Sequence, residues 1–267
     1  MGADTKVLRT RIKSAHSTLH LTKAMGLVAS SKIRRANEAM FQGREYAAAF
    51  QNAVNLLTAC PECEKSPYMQ VRGEERTRLI VIAGDRGLAG GYNANLFRLL
   101  ASLPAADILP IGKRACDRFG KAAVSSESFS AADAAALAKE QCRNFVDGQY
   151  DRLGIVSTRY VSMMTQEPIV TWVLPLTKGA ATQRTGVLFE PDEVEVLGAA
   201  VPSYVTACIM AATRESFACE VAARRMAMDS AGKNAQQMID DLQLEYNRAR
   251  QSAITQEITE IVAGSGS

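Results

Sequence analysis

Proline is missing from both ends of this chain. Of its eight prolines the first is Pro61, and none follows Pro202. Neither end therefore carries the residue that most reliably breaks a helix. Histidine is nearly as scarce, with His16 and His20 alone. They stand four apart beside Lys13 and Lys23 with no third metal ligand, which reads as a solvated helix face rather than a metal site. With both histidines in the first segment, no Ser/His/Asp set can be built in the middle of the chain. No carboxylate pair stands out there either, so composition alone does not describe an enzyme. No 18-residue apolar stretch is evident, which argues against a membrane-spanning helix, and the first 20 residues lack the apolar core of a signal peptide. The six cysteines (60, 63, 116, 142, 208 and 219) are scattered, the usage of free thiols in a reducing compartment. Cys60-Pro61-Glu62-Cys63 has the C-x-x-C spacing but neither the strand-helix context of a redox motif nor a second ligand pair for zinc. A net charge of +3 is too small to argue for nucleic acid.

What the ends do contain is a period. Apolar or small residues recur at alternating steps of four and three through Leu8, Ile12, Ala15, Leu19, Thr22, Gly26, Ala29, Ile33, Ala36, Met40, Gly43, Ala47, Phe50, Val54 and Leu57. A 3.5-residue repeat held over seven heptads is the pattern of a left-handed coiled coil. A helix over residues 4–58 would be roughly 80 Å long. Residues 203–262 also read as helix, with Ala235, Ile239, Leu242, Tyr246, Ala249 and Ala253 repeating the step and Ile254, Ile258 and Ile261 forming an offset stripe. Residues 1–46 hold nine basic and three acidic side chains, net +6, and residues 210–267 hold six and eight, net −2. The opposite signs favour pairing of the two ends, weakly, and the basic surplus suggests an acidic partner surface. Small seam residues let helix axes approach closely while burying little area. A self-associating homodimer is the competing reading, although dimer seams prefer Leu and Ile.

The middle reads as an α/β domain. Residues 58–76, with two prolines and several charges, look like a linker. Arg78–Gly84 is a continuous apolar run suited to a buried parallel strand. It is followed by a helix with Leu96, Phe97, Leu99 and Leu100 inward, a strand at Asp107–Gly112, and a helix at Lys113–Lys121. An amphipathic helix at Ala131–Tyr150 (Ala135, Leu137, Phe145, Val146) precedes strands at Leu153–Val161 and Pro168–Leu176. This order implies a small sheet with helices on its faces and a terminal hairpin. The segment GDRGLAGGYN, residues 84–93, is where a ligand would be sought. Its glycines could cradle phosphate, but the spacing is not G-x-G-x-x-G and no G-K-[ST] follows. Asp107 stands at the start of its strand, where a ribose-binding acid would stand at the end. A tight turn whose glycines adopt positive φ is the simpler reading, and nucleotide binding is the alternative.

Three segments together resemble the gamma subunit of F-type ATP synthases: RIKSAHSTLHLTKAMGLVASSKIRRA (11–36), GDRGLAGGYNANLF (84–97) and EYNRARQSAITQEITEIVAG (245–264). Their order and separations match across essentially the whole chain. The resemblance implies an antiparallel coiled coil of the N- and C-terminal helices plus a central Rossmann-like α/β domain, with the divisions 1–60, 76–190 and 203–264. It implies a rotary shaft, one copy per complex, set in a hexamer of three alpha and three beta subunits and docked on the epsilon subunit and the c-subunit ring. Catalysis would belong to beta, no cofactor would be bound, no nucleic acid would be a partner, and the location would be the cytoplasmic face of a bacterial membrane. By the same resemblance Met25, with Lys23, lies where the shaft meets the acidic lever loop of beta. Lys32, Arg34 and Arg35 continue that basic face toward the hexamer, and Arg250, Gln251, Thr255, Gln256 and Glu257 meet the upper bearing of the hexamer. Gly84, Asp85, Arg86, Gly87, Gly90 and Gly91 form a turn or docking edge. Gly26-Leu27 and Ala89 depart from the usual family residues, and the first of these softens the helix beside the lever contact. A small nucleotide-binding enzyme with dimerising arms and a basic coiled-coil scaffold remain as alternatives.

Overall fold

The computed structural model describes residues 2–73, 75–179 and 189–264. Their order is α1 (Gly2–Thr58), β1 (Thr77–Ile82), α2 (Tyr92–Ala101), β2 (Asp107–Ile111), α3 (Lys113–Phe119), α4 (Ala131–Val146), β3 (Arg152–Tyr160), β4 (Gln166–Leu174) and α5 (Glu193–Gly264). The chain divides into two compact units, residues 32–223 and the residues up to Ser31 together with those from Arg224 onward.

In the larger unit the sheet order is β2-β1-β3-β4. β1 runs parallel to β2 and β3, with Ile80 opposite Leu109 and Ile155, and β4 returns antiparallel to β3. Successive β1 side chains point to opposite faces. Ile80 and Ile82 enter a large core with Phe145 of α4, Val54 and Leu57 of α1, and Leu197, Val201 and Val205 of α5. Leu79 and Val81 enter a smaller one with Leu96 of α2 and Ala115 of α3. Cover on both faces explains why β1 is apolar without alternation. A capping box starts α4, with Ser130 Oγ accepting from Asp133 N and Asp133 Oδ2 accepting from Ser130 N. This satisfies two amide groups that the helix cannot.

Four sequence expectations need correction here. Residues 58–76 are not a free linker. They include two short 3-10 turns, Pro61–Lys65 and Pro67–Met69, which put Cys63 and Tyr68 into the core, the latter stacked 6.2 Å from Phe145. The inner face of α4 is Ala134, Ala138, Gln141, Cys142 and Phe145, while Ala135 and Val146 face outward, because steps of three and four keep the first set on one side of the helix. α5 starts at Glu193 rather than after Pro202. An interior proline costs about 3 kcal/mol, but the turns before it carry Leu197 and Val201, both 0% exposed, and each such burial returns about 1.5–3 kcal/mol. The residue four before the ring is Gly198, which adds no side-chain bulk. Finally, α5 does contain an 18-residue window of mean hydropathy 1.6, long and apolar enough by composition to cross a membrane. Its stretch with Leu197, Val201, Val205 and Ile209 is instead buried in the α/β core, which accounts for the apolarity.

The parts of α1 and α5 inside this unit pack antiparallel, Ala36 and Met40 against Ala218 and Gly43 against Ala211. In the smaller unit the remaining parts of the two helices form a pair of their own. Ala15 and Leu19 cluster with Ala235 and Ile239, Gly232 faces Leu19 and Thr22, and Gly26 faces Arg225 and Met228. Numbers rise along α1 as they fall along α5, so this pair is antiparallel as well. Every member of the expected α1 seam from Leu8 to Leu57, and of the α5 seam from Ala235 to Ala253, is buried or half-buried. His16 and His20 are exposed, as a solvated face requires.

Candidate functional site

In an open α/β sheet, ligands bind in the crevice beyond the carboxyl ends of the strands. Here that place is bounded by the turn after β1, by Gly112 after β2 and by the end of β3. Gly112 has φ +93°, and a Cβ there would lie 1.9 Å from the Ala83 carbonyl oxygen, so only glycine fits. Arg114 N donates to Gly84 O at 3.1 Å, and Gly84 N donates to Asn93 Oδ1 at 2.9 Å, which fixes both sides of the turn.

Asp85 ties the loops together. Its carboxylate accepts from Lys113 N and Ser126 N, each at 3.0 Å, from Glu127 N at 2.9 Å and from Ser125 Oγ at 2.7 Å. Partial burial pushes this acid toward its neutral form, but the four donors outweigh it and hold the pKa below the ordinary carboxylate value. The carboxylate is thus a structural anion. Glu127 in turn pairs with Lys32 of α1 at 2.5 Å and with Arg86 at 3.5 Å.

The crevice itself is filled by α5. Glu220, 2% exposed, accepts from the backbone amides of Asp85 and Arg86, each at 3.2 Å. Amides in such a turn are the donors that hold phosphate in nucleotide-binding relatives of the fold. In this protein they hold a carboxylate of the same chain. Along the same stretch of α5, Glu215 accepts from Tyr160 N at 2.7 Å and pairs with Arg44 of α1 at 2.6 Å. Ser216 Oγ accepts from Thr158 N at 3.3 Å, its carbonyl accepts from Tyr92 Oη at 2.9 Å, and Cys219 Sγ donates to Thr158 O at 3.4 Å. Burial raises the pKa of Tyr92 and of Cys219, keeping both neutral as donors.

The glycines of the turn do less than positive φ would suggest. Among them only Gly90 lies in the left-handed region, at φ +57°, while Leu88 takes φ +60°. Gly84 is needed for closeness, because a Cβ there would stand 2.8 Å from Glu220 Cδ. Asp85 and Gly87 are half-buried, Arg86 is exposed, and Gly91 precedes α2 as its N-cap without a side-chain hydrogen bond. Glu215, Ser216 and Glu220 were not singled out from sequence. Their signal was present, since Arg214, Glu215 and Glu220 are the charged residues between Val196 and Ala223, a stretch otherwise apolar enough to be core.

The residues expected to meet partners divide differently. Lys23 is exposed and lines a groove of about 260 Å³ with Arg225, Asp229 and Lys233, and Met25 beside it is half-buried. Lys32 is engaged by Glu127, whereas Arg34, 90% exposed, makes a long 3.7 Å contact with Glu38, and Arg35 is exposed. Arg250, Gln251, Thr255 and Gln256 are exposed. Thr255 Oγ1 donates to Gln251 O and Gln256 Nε2 donates to Glu260. The side chain of Glu257 lies outside the described residues. Ile254, Ile258 and Ile261 are 47%, 56% and 70% exposed, an apolar stripe without cover. Cys60 and Cys63 are buried free thiols; burial pushes Cys63 up to about 11, which leaves it a poor nucleophile. No cluster of three metal-ligating side chains occurs among the described residues.

These features define a class: an antiparallel coiled-coil protein whose Rossmann-like domain is locked onto its own C-terminal helix through the crevice that elsewhere takes a ligand. The family model described as ATP synthase matches residues 4–267. The ATP synthase gamma chain of Moorella thermoacetica is 38% identical over 272 aligned residues, 96% of each chain. The chain therefore belongs to the ATP synthase gamma-chain family. The fold is shared with a chain of the Euglena gracilis mitochondrial ATP synthase (TM-score 0.71, 17% identity, 99% of this chain and 94% of that one). It is shared also with a chain of the Tetrahymena thermophila central stalk and c-ring (TM-score 0.62, 20% identity, 79% and 99%).

Proposed function

We propose that this chain is the central rotor of an ATP synthase, coupling ion flow through a membrane sector to conformational cycling of catalytic beta subunits. The observation that carries this reading is the 3.5-residue seam of small side chains, buried between antiparallel terminal helices, in a member of the gamma-chain family. Small residues make the helix pair thin, as a part turning inside a narrow bore must be. The chain supplies geometry rather than chemistry. It biases each beta subunit by making different contacts with its alternative conformations. One elementary charge crossing 100 mV carries about 2.3 kcal/mol, so the work of several ions is summed through this protein for each ATP.

Under this reading Lys23 and Met25 in the smaller unit, and Arg34 and Arg35 in the larger, each supply contacts to an acidic lever on beta. Arg250, Gln251, Thr255, Gln256 and Glu257 form a polar collar contact, and Ile254, Ile258 and Ile261 turn against an apolar bearing. The α/β domain docks on epsilon and the c ring, and the complex lies at the cytoplasmic face of a bacterial membrane. Catalysis resides on beta, and in this chain the turn amides of Asp85 and Arg86 are taken by Glu220. The test is assembly. Mixed with alpha and beta subunits, the chain is expected to enter one complex at one copy per three alpha-beta pairs and to support ATP hydrolysis. A stable homodimer that ignores both subunits, or sub-micromolar binding of ATP or NAD by the isolated chain, overturns the reading.

A further inference from the structure

We infer that Glu220 is the key that fixes the rotation of α5 against the α/β domain, a positioning residue for coupling rather than for folding. The inference rests on the rotor reading and deepens it. Apolar packing is non-directional: it resists withdrawal of a helix from its groove but opposes slippage about the helix axis only through shape. Hydrogen bonds have a preferred direction and weaken steeply when bent. Toward the end of β3 and the turn after β1, α5 makes such bonds at Glu215, Ser216, Cys219 and Glu220, whereas its Tyr204 Oη is tied to Gln51 of α1. Of these groups Glu220 combines a buried carboxylate, two backbone partners and a turn carved to receive it at Gly84. A residue needed only for packing would be apolar at this depth, since a buried charge is costly unless paired. The turn that receives it is tied in place by Asp85, whose carboxylate accepts from residues 113 and 125–127. Torque applied to the α/β domain thus reaches α5 through the Glu220 carboxylate and its two amide donors.

The experiment compares three variants of the whole complex in membrane vesicles: Glu220→Gln, Gly84→Ala and Val221→Ala. Glu220→Gln keeps the size but presents an amide to two N–H donors. Gly84→Ala pushes the carboxylate away from the turn. Val221, 1% exposed, is the equally buried neighbour without a polar tie. ATP hydrolysis and ATP-driven ion pumping are read together, with the melting temperature of the isolated chain. The expected result is normal assembly and hydrolysis within twofold for all three, with pumping per ATP reduced severalfold in Glu220→Gln and Gly84→Ala. Val221→Ala should lower the melting temperature with pumping per ATP unchanged. The inference is overturned if pumping per ATP is unchanged in the two clasp variants, or if it falls equally in Val221→Ala. Failure of the unmutated chain to assemble would sink the rotor reading instead.

Discussion

The two units of this molecule are held by different forces. The body of residues 32–223 has aromatic and branched side chains at 0% exposure, two cores on opposite faces of a sheet, and polar ties with buried partners. The helix pair of the smaller unit is joined by a cluster of four buried residues, two of them alanine, flanked by Thr22, Gly26 and Gly232. Its polar interactions include intrahelical ones such as Lys233–Asp229 and Gln237–Asp241. Those exposed contacts contribute little. One region is therefore a densely packed body and the other a slender pair with little buried area. The same two helices serve both, so the difference lies in what their side chains meet rather than in helix propensity.

The largest test of this contrast is Phe145→Ala. Phe145 is fully buried, stacked on Tyr68, tilted against Tyr150 and capped by Arg72. Its truncation should cost about 3–5 kcal/mol, read by denaturant unfolding of the isolated chain. Ile239→Ala, at 2% exposure in the pair, should cost about 2 kcal/mol, the low end for such a change, because two slim helices can close on the gap. Hydrogen exchange should then speed up across residues 8–30 and 225–250 and leave β1 and β3 protected. Loss of protection in the strands would show that the units unfold as one.

A smaller effect is expected at the knot of the turn. Asp85→Asn puts an amide before four donors and should destabilise the body by about 1–2 kcal/mol. The folded-state pKa of Asp85 is depressed, so its contribution is complete above the unfolded carboxylate value and disappears as pH falls through the lower, folded one. An acid titration should therefore narrow the gap between wild type and Asp85→Asn, and a gap that widens toward low pH would contradict the assignment. The smallest change is a gain. Gly26→Ala places a Cβ 3.0 Å from Arg225 Nη1, the movable end of a flexible side chain. It should stabilise the pair by about 0.5–1 kcal/mol through helix propensity. A loss measured by thermal melting would mean that this stretch of α1 needs closer approach than alanine allows.

Most of the fold was legible in sequence because its signals are local and repeated. The heptad run from Leu8 to Leu57 specifies one helix face however it is partnered, and Arg78–Gly84 could hardly be anything but a buried strand. The boundaries that were misread depend on tertiary contact. Pro202 punctuates a helix unless burial of Leu197 and Val201 carries it through, and Cys63 and Tyr68 read as linker until the core they plug is known. The turn was located but its chemistry was not. Nothing local to GDRGLAGGYN announces that its amides are already taken, since the acid that takes them is 135 residues away along the chain. The signal for that acid is a charged residue, Glu220, in an otherwise apolar stretch of helix, and it gains meaning only beside the loop it enters.

A tethered anion differs from a dissolved one in a way that matters for a motor. Even a short flexible tether presents its ligand at an effective concentration on the order of millimolar, and α5 is a stiff tether already seated. Free nucleotides would have to displace an occupant that never diffuses away. Within residues 32–223 the turn and α5 are thus joined by a contact that needs no dissolved partner.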